Sequence, residues 1–87
     1  MSFNNKKISN ELIVTSKTEN LSEIRDFVFT NAQKAGLSST ATDNIILAVD
    51  EACTNIIKHA YQLSPKGEII IKVDYDEEKF SITIMDY

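Results

Sequence analysis

The fold of this chain is decided by residues 68–85, which read EIIIKVDY-DEEK-FSITIM. The first eight residues of the stretch alternate, which predicts a strand with one apolar side. Four residues share that side: Ile69, Ile71, Val73 and Tyr75. A polar turn of four residues follows, and a second alternating strand begins with Phe80, Ile82 and Ile84. Since neighbouring strands joined by a tight turn pair antiparallel, the sequence predicts a β-hairpin.

A strand and a helix are predicted in the first part of the chain. Residues 8–16 contain the apolar run Leu12-Ile13-Val14, which fits a strand better than a helix. A helix is expected to start at Asn20, whose side chain can cap free backbone donors while Glu23, three residues on, reaches back. Apolar residues at spacings of three and four then lead to Gly36, which predicts the end of this helix.

A second, longer helix is predicted over about 40–63, and residues 64–67, SPKG, are expected to end it. Its candidate caps are Ser38, Ser39 and Thr40. Its apolar set is Ile45, Val49, Ala52, Ile56 and Ala60, with Ile46, Cys53 and Ile57 on one flank. The order strand-helix-helix-strand-strand predicts an α+β fold in which the helices cover one face of a mainly antiparallel sheet.

Length and composition exclude several classes of protein. Residues 1–87 are enough for a single domain, and 9 Lys and Arg against 13 Asp and Glu give a net charge of −4. Direct nucleic-acid binding and membrane binding are therefore not expected, because both need clustered positive charge or a long apolar run. One cysteine, Cys53, excludes a disulfide framework, and residues 1–7 show no secretion signal. These features predict a cytoplasmic protein.

The long helix carries Glu51, Asn55 and His59 at successive four-residue steps, which places them in one row along the border of its apolar face. An amide oxygen is a ligand that Mg²⁺ accepts, and a carboxylate can take a proton from a nucleophile. The alternative is that Glu51 and Asn55 are ordinary boundary residues of an amphipathic helix. Spacing alone leaves both interpretations open.

The last strand adds a second unusual residue, Asp86. It has the same parity as Phe80, Ile82 and Ile84, so it is predicted on the face that these neighbours bury. A carboxylate there needs a hydrogen-bond donor, or its pKa must rise. The alternative is that Asp86, next to the last residue, frays into water.

These two features coincide with a family pattern. Residues 51–61, EACTNIIKHAY, resemble the N-box of bacterial anti-sigma-factor serine kinases, which belong to the GHKL ATPase superfamily with its Bergerat fold. Residues 82–86, ITIMD, are similar to the strand that leads into the first glycine box of that family. The resemblance implies a histidine-kinase-like ATPase domain over residues 1–87, with a Bergerat-type two-layer sandwich of which this chain holds the N-terminal part.

The resemblance also implies roles for individual residues. Glu51 is the expected general base toward an attacking serine hydroxyl, Asn55 the ligand of the Mg²⁺ that bridges the ATP phosphates, and Asp86 the acceptor for the adenine amino group. Thr54, His59 and Tyr61 belong to the motif without an assigned role. From its place beside the apolar face, His59 is expected to pack and to hydrogen-bond locally, and Cys53 to lie in the core. Lys58 is expected to be solvated.

The partners that the resemblance implies are a small anti-anti-sigma-factor protein as the substrate, a sigma factor, and a second copy of the chain in a homodimer. The sequence stops at Tyr87, before the glycine boxes and the lid of the family, so the chain is expected to bind ATP weakly or not at all. Two alternatives stay open: a non-catalytic protein-interaction module of the same fold, and completion of the fold by strand exchange between copies.

Overall fold

A computed structural model describes residues 6–63 and 67–87. The elements within these ranges are β1 (Ile8–Thr15), a 3-10 turn (Thr18–Asn20), α1 (Leu21–Ala35), α2 (Ser39–Leu63), β2 (Glu68–Tyr75) and β3 (Phe80–Asp86). The predicted order and the α+β class are confirmed. The predicted helix break at residues 64–67 falls mostly on residues outside the described ranges, except for Gly67.

The three strands form one antiparallel sheet in the order β1-β2-β3. Ile71 is the centre of the register, since it pairs with Leu12 on one side and with Ile84 on the other. The sheet therefore places the inward residues of the three strands in cross-strand rows, and its middle strand, β2, is flanked on both sides. The four inward side chains predicted for β2 are at most 6% exposed.

Helix α1 begins and ends where the sequence predicts, but its start is held differently. The side chain of Asn20 caps no helix donor; its Nδ2 instead donates to the backbone oxygen of Thr15 at 2.9 Å. The capping-box prediction is therefore wrong, because the 3-10 turn before α1 brings Asn20 back to the end of β1. At the other end, Gly36 has φ 81° and closes the helix with bonds to the carbonyls of Ala32 and Gln33.

Helix α2 is capped by the first of its three candidates. Ser38 Oγ accepts a hydrogen bond from the backbone N–H of Ala41 at 3.1 Å. Only residues 36–38 separate the helices, so they run antiparallel across the same face of the sheet.

The buried face of α2 is rotated relative to the prediction. Among the described side chains of this helix, Val49, Cys53 and Ile57 lie in the hydrophobic core. Val49 of the predicted apolar set is therefore buried, whereas Ile45, Ala52 and Ile56 of that set are only half-buried. The reason is that α1 packs against one side of α2, whereas the other side lies over β3, which is an edge strand of the described sheet.

Candidate functional site

The row on α2 lies on the exposed side of the helix, further from the core than the border of the apolar face at which the sequence predicts it. Glu51 and Asn55 are exposed, whereas Ala52 and Ile56, each one residue further along, are half-buried. Helical geometry places side chains four residues apart about 6 Å from each other, so the carboxylate and the amide stand one above the other. Among the described residues, neither side chain takes part in a hydrogen bond or ion pair within the chain.

A groove between α2 and β3 shows the direction in which the side chains of this row project. The groove has a volume of about 280 Å³ and is lined by Ile45, Ala48, Val49, Ile82 and Ile84. Seven residues are nearly two full helical turns, so Asn55 projects within about 20° of the direction of Ala48. Asn55 therefore faces the β3 side of α2, while Glu51 lies further out toward solvent.

Asp86 lies at the same end of the sheet as the end of α2. It pairs with Ile69 at the start of β2, and only four residues connect the end of α2 to that strand. Its parity with Ile84 is confirmed by the register. Helix α2 therefore runs from Glu51 through Asn55 toward the end of β3 that carries Asp86.

Asp86 is exposed, so the prediction that this carboxylate is buried and needs a hydrogen-bond donor is wrong. No described element flanks β3 on its outer side, which leaves this end of the covered face open to water. The residue does not fray, however. The next residue, Tyr87, donates its N–H to Glu68 at 2.9 Å and accepts from the N–H of Glu68 at 3.1 Å.

An ion pair that no sequence pattern predicts lies beside the row. Arg25 Nη1 of α1 donates to Asp50 Oδ1 of α2 at 2.7 Å, and Asp50 immediately precedes Glu51. Both side chains are partly exposed, so the pair contributes little to stability, about 0–1 kcal/mol. Spacing within one helix could not reveal it, because the two residues belong to different elements.

The remaining residues of the motif divide between core and surface. Cys53 is fully buried, as predicted, and Lys58 is exposed, as predicted. His59 is also exposed and makes no hydrogen bond with another described residue, so the prediction that it packs and bonds locally is not met. Thr54 is half-buried. The side chain of Tyr61 lies outside the described residues.

Within residues 6–63 and 67–87, no three His, Cys, Asp or Glu side chains gather closely enough to hold a metal ion. Asn55 would therefore be one ligand among several, with the others supplied by a bound group such as phosphate oxygens. An exposed amide without an internal partner fits that use. Neither described helix has the length and apolarity needed to cross a membrane.

Comparisons with known proteins agree with this arrangement. The histidine kinase-like ATPase domain family matches residues 14–87. The chain is similar to the "Serine-protein kinase RsbW" of Bacillus licheniformis, with 32% identity over 76 residues, which is 87% of this chain and 48% of that protein. The protein of the same name from Listeria innocua is 36% identical over 55 residues, 63% of this chain and 35% of that protein.

The protein of that name from Bacillus subtilis is 29% identical over 76 residues, again 87% of this chain and 48% of the relative. The chain thus spans about half the length of the Bacillus relatives that it matches. The family match includes both α2 and β3, the two elements that carry Glu51, Asn55 and Asp86. The chain therefore belongs to the histidine kinase-like ATPase domain family.

Proposed function

We propose that the chain forms part of the nucleotide site of an anti-sigma-factor serine/threonine kinase. One observation carries the proposal: Glu51 and Asn55 are exposed on α2, which runs toward the end of β3 at which Asp86 is exposed. A carboxylate, an amide and a second carboxylate are thus arranged from the middle of α2 to the end of the sheet. The similarity to serine-protein kinases supports the same function.

In the proposed mechanism, each of the three residues has its own task. Asn55 would hold Mg²⁺ through its amide oxygen, and the bound metal would neutralise charge on the ATP phosphates. Glu51, one turn earlier, accepts the proton of the attacking serine hydroxyl. Asp86 accepts a hydrogen bond from the adenine amino group. The exposure of all three side chains leaves them free for these contacts.

The proposed partners are a small anti-anti-sigma-factor protein that presents the serine, a sigma factor, and a second copy of the chain. These partners follow from the family resemblance, and the similarity to serine-protein kinases supports a partner that presents a serine. A cytoplasmic location belongs to the same proposal, and the free, buried thiol of Cys53 is compatible with a reducing compartment.

The experiment uses a chimera in which this chain replaces the matching half of the Bacillus licheniformis relative. The chain itself holds only two glycines, so the chimera supplies a glycine-rich phosphate cradle. ATP binding with and without Mg²⁺ is measured by calorimetry, and transfer of labelled phosphate to an anti-anti-sigma-factor protein is measured alongside. A Ser→Ala form of the substrate shows whether the serine is the acceptor.

Glu51→Gln keeps its size but cannot take a proton, so we expect ATP to bind as before while transfer slows about a hundredfold. Asn55→Ala removes the metal ligand, so Mg²⁺-dependent affinity and transfer should fall together. Asn44→Ala is the matched control, because it removes another exposed amide from the same helix. Equal loss of binding in Glu51→Gln and Asn55→Ala would contradict the separate roles. A chimera that folds without binding ATP would instead favour a non-catalytic interaction module.

A further inference from the structure

The outer edge of β1 carries backbone groups that no described strand pairs. β1 is the first strand of the sheet, so only one of its two edges faces β2. The N–H of Ser16 donates to the carbonyl of Gly67 at 2.9 Å, so the even-numbered residues of β1 bond to β2 and the odd-numbered residues point their backbone groups outward. Three residues form this open edge, each with one donor and one acceptor: Ser9, Glu11 and Ile13.

The open edge ends at Thr15. The carbonyl of Thr15 accepts hydrogen bonds from the N–H of Lys17 at 2.8 Å and from Asn20 Nδ2 at 2.9 Å. The turn that follows β1 therefore closes this end of the edge. A strand that joins β1 has room for about seven residues, opposite residues 8–14.

A groove with a volume of about 420 Å³ runs beside the open edge, between β1 and α1. Leu12 and Phe27 line it with half-buried apolar side chains. Glu11 lines it as well, although the register places the side chain of Glu11 on the opposite face of the sheet. The groove therefore reaches the backbone of the open edge.

A pair of amide side chains fixes the spacing between the two walls of the groove. Asn31 of α1 is 4% exposed, and its Oδ1 accepts a hydrogen bond from Asn10 Nδ2 of β1 at 2.7 Å. Its Nδ2 donates to the carbonyl of Phe27 at 2.8 Å. The groove is thus formed before anything binds, which lowers the cost of binding.

The two ends of the groove carry opposite charge. Lys34 lies around the same cavity as Ile8, at the start of β1. Glu23 and Asp26 precede Lys34 by about three and two helical turns and line the groove toward the other end of β1. These three charged side chains are exposed, and none forms an ion pair with another described residue.

We propose that an extended segment of another protein adds to β1 as an antiparallel strand, with a basic residue beside Glu23 and Asp26 and an acidic residue beside Lys34. Main-chain hydrogen bonds hold such an added strand, and contacts with alternate side chains select its sequence. An antiparallel strand passes the end of β1 first and the start of β1 last, so the basic residue precedes the acidic one. An apolar residue between them lies against Leu12.

A second copy of this chain fits the edge poorly. Self-pairing that uses all of the open edge places Glu11 directly opposite Glu11 of the second copy, and like charges in that position repel. It also places Leu12 opposite the amide of Asn10. A foreign segment with a basic residue opposite Glu11 replaces the repulsion with attraction, so charge complementarity favours such a segment.

The probe for this inference is the peptide Lys-Thr-Val-Lys-Thr-Thr-Glu with blocked termini. In the proposed register its first lysine lies opposite Val14, its valine opposite Leu12, its second lysine opposite Glu11 and its glutamate opposite Ile8. Amide exchange of the 87-residue chain is followed by NMR at about 50 μM chain and up to about 5 mM peptide. We expect a dissociation constant of about 0.1–1 mM, because a short peptide loses much freedom on binding.

Binding should slow the exchange of the Ile13 and Glu11 amides at least about fivefold at 5 mM peptide, because only the unbound fraction exchanges freely. The amides of Leu12 and Val14, which already bond to β2, should change little. Two control peptides should fail to give this protection. One has its charges reversed, Glu-Thr-Val-Glu-Thr-Thr-Lys, and the other has proline at its second position, where the N–H is needed for the ladder.

A variant of the groove tests the charge contact. Asp26→Lys should raise the dissociation constant of the peptide about three- to tenfold, because it exchanges an attraction for a repulsion at a partly solvated site. Asp43→Lys is the matched control, since Asp43 is also an exposed aspartate but lies on α2. It should leave binding unchanged, and thermal melting checks that both variants fold.

The inference is overturned if the peptide leaves the exchange of Ile13 and Glu11 unchanged, if the charge-reversed peptide protects them equally, or if Asp26→Lys and Asp43→Lys bind alike. Protection of these amides that grows with chain concentration in the absence of peptide would identify a second copy as the occupant and would also overturn it. None of these measurements uses ATP, so their outcome is independent of the proposed nucleotide site.

Discussion

Cys53 shows how strongly one buried side chain can respond to its surroundings. It is fully buried on the inner face of α2. Burial raises the pKa of its thiol from an ordinary value of 9.0 to about 11, and the carboxylate of Asp50 adds to the rise. Both effects disfavour the thiolate, so this cysteine serves packing and not chemistry.

This raised pKa makes stability depend on pH. In the unfolded chain the thiol loses its proton near pH 9, but in the folded chain it keeps the proton until about pH 11. The contribution of this thiol to the free energy of unfolding is complete below pH 9 and is lost as the pH rises to 11, because the unfolded state releases its proton first. The melting temperature of wild type should therefore fall more steeply over this window than that of Cys53→Ala. Parallel curves for the two proteins would contradict the assignment.

Asp86 is expected to distinguish adenine from guanine in the chimera. A carboxylate accepts from the amino group of adenine but meets a carbonyl oxygen at the same position of guanine. A lost or unpaired contact of this kind costs about 1–3 kcal/mol, or about tenfold to a hundredfold in affinity. Asp86→Ala should weaken ATP binding by that factor and remove most of the preference over GTP. Glu77→Ala, an exposed carboxylate in the turn, is the control; unchanged discrimination in Asp86→Ala would show that another residue reads the base.

At the scale of the elements, glycine is required at two positions for different physical reasons. Gly36 ends α1 in the left-handed region at φ 81°, and an added Cβ would meet no atom within 4 Å. Gly67 precedes β2, and a Cβ there would lie 3.0 Å from the backbone oxygen of Tyr87 and 3.1 Å from Ser16 Oγ. The first position needs glycine for its backbone angles and the second for space.

Alanine at each position should therefore have a distinct effect. Gly36→Ala should cost about 1 kcal/mol of unfolding free energy through backbone strain and leave the sheet unchanged. Gly67→Ala should push the end of β3 away from β2, so that the amide of Tyr87 exchanges faster with solvent. Chemical denaturation and amide exchange by NMR measure the two effects. Faster exchange at Tyr87 in Gly36→Ala, or unchanged exchange in Gly67→Ala, would contradict this distinction.

At the scale of the whole molecule, β2 organises the sheet because its backbone is bonded on both sides. The N–H of Ser16 donates to Gly67 at 2.9 Å, and Glu68 and Tyr87 exchange two bonds. Since ladder bonds alternate along each strand, the odd residues of β2 bond to β1 and the even residues to β3. The even-numbered residues of β1 therefore point their N–H groups toward β2. The N–H groups of its odd-numbered residues point away from β2, toward the outer edge of the sheet.

Amide exchange should follow this alternation. Val14 and Leu12 of β1 should exchange slowly, and Ile13 and Glu11 at least about tenfold faster, while all amides in the middle of β2 stay protected. NMR exchange at low concentration gives the rates. Slow exchange at Ile13 and Glu11 would show that another strand pairs with this edge.

Local patterns of the sequence specify the helices and strands, because hydrophobic periodicity and helix breakers act over a few residues. The alternation of residues 68–75, the helix end at Gly36 and the turn before Phe80 all follow from local geometry, and the structure confirms each. The alignment of Glu51 and Asn55 in one row of α2 also depends on helical spacing alone. The motif on that row also led to the correct family.

The surroundings of each element depend on tertiary packing. It moved the centre of the buried face of α2 to the row of Cys53, because α1 covers one flank and β3 is an edge. In the folded chain Asp86 is exposed, and the side chain of Asn20 bonds to Thr15. Arg25 of α1 forms an ion pair with Asp50 of α2. Each of these outcomes depends on residues distant in sequence, and burial is a property of the neighbours that packing brings together, which no local pattern encodes.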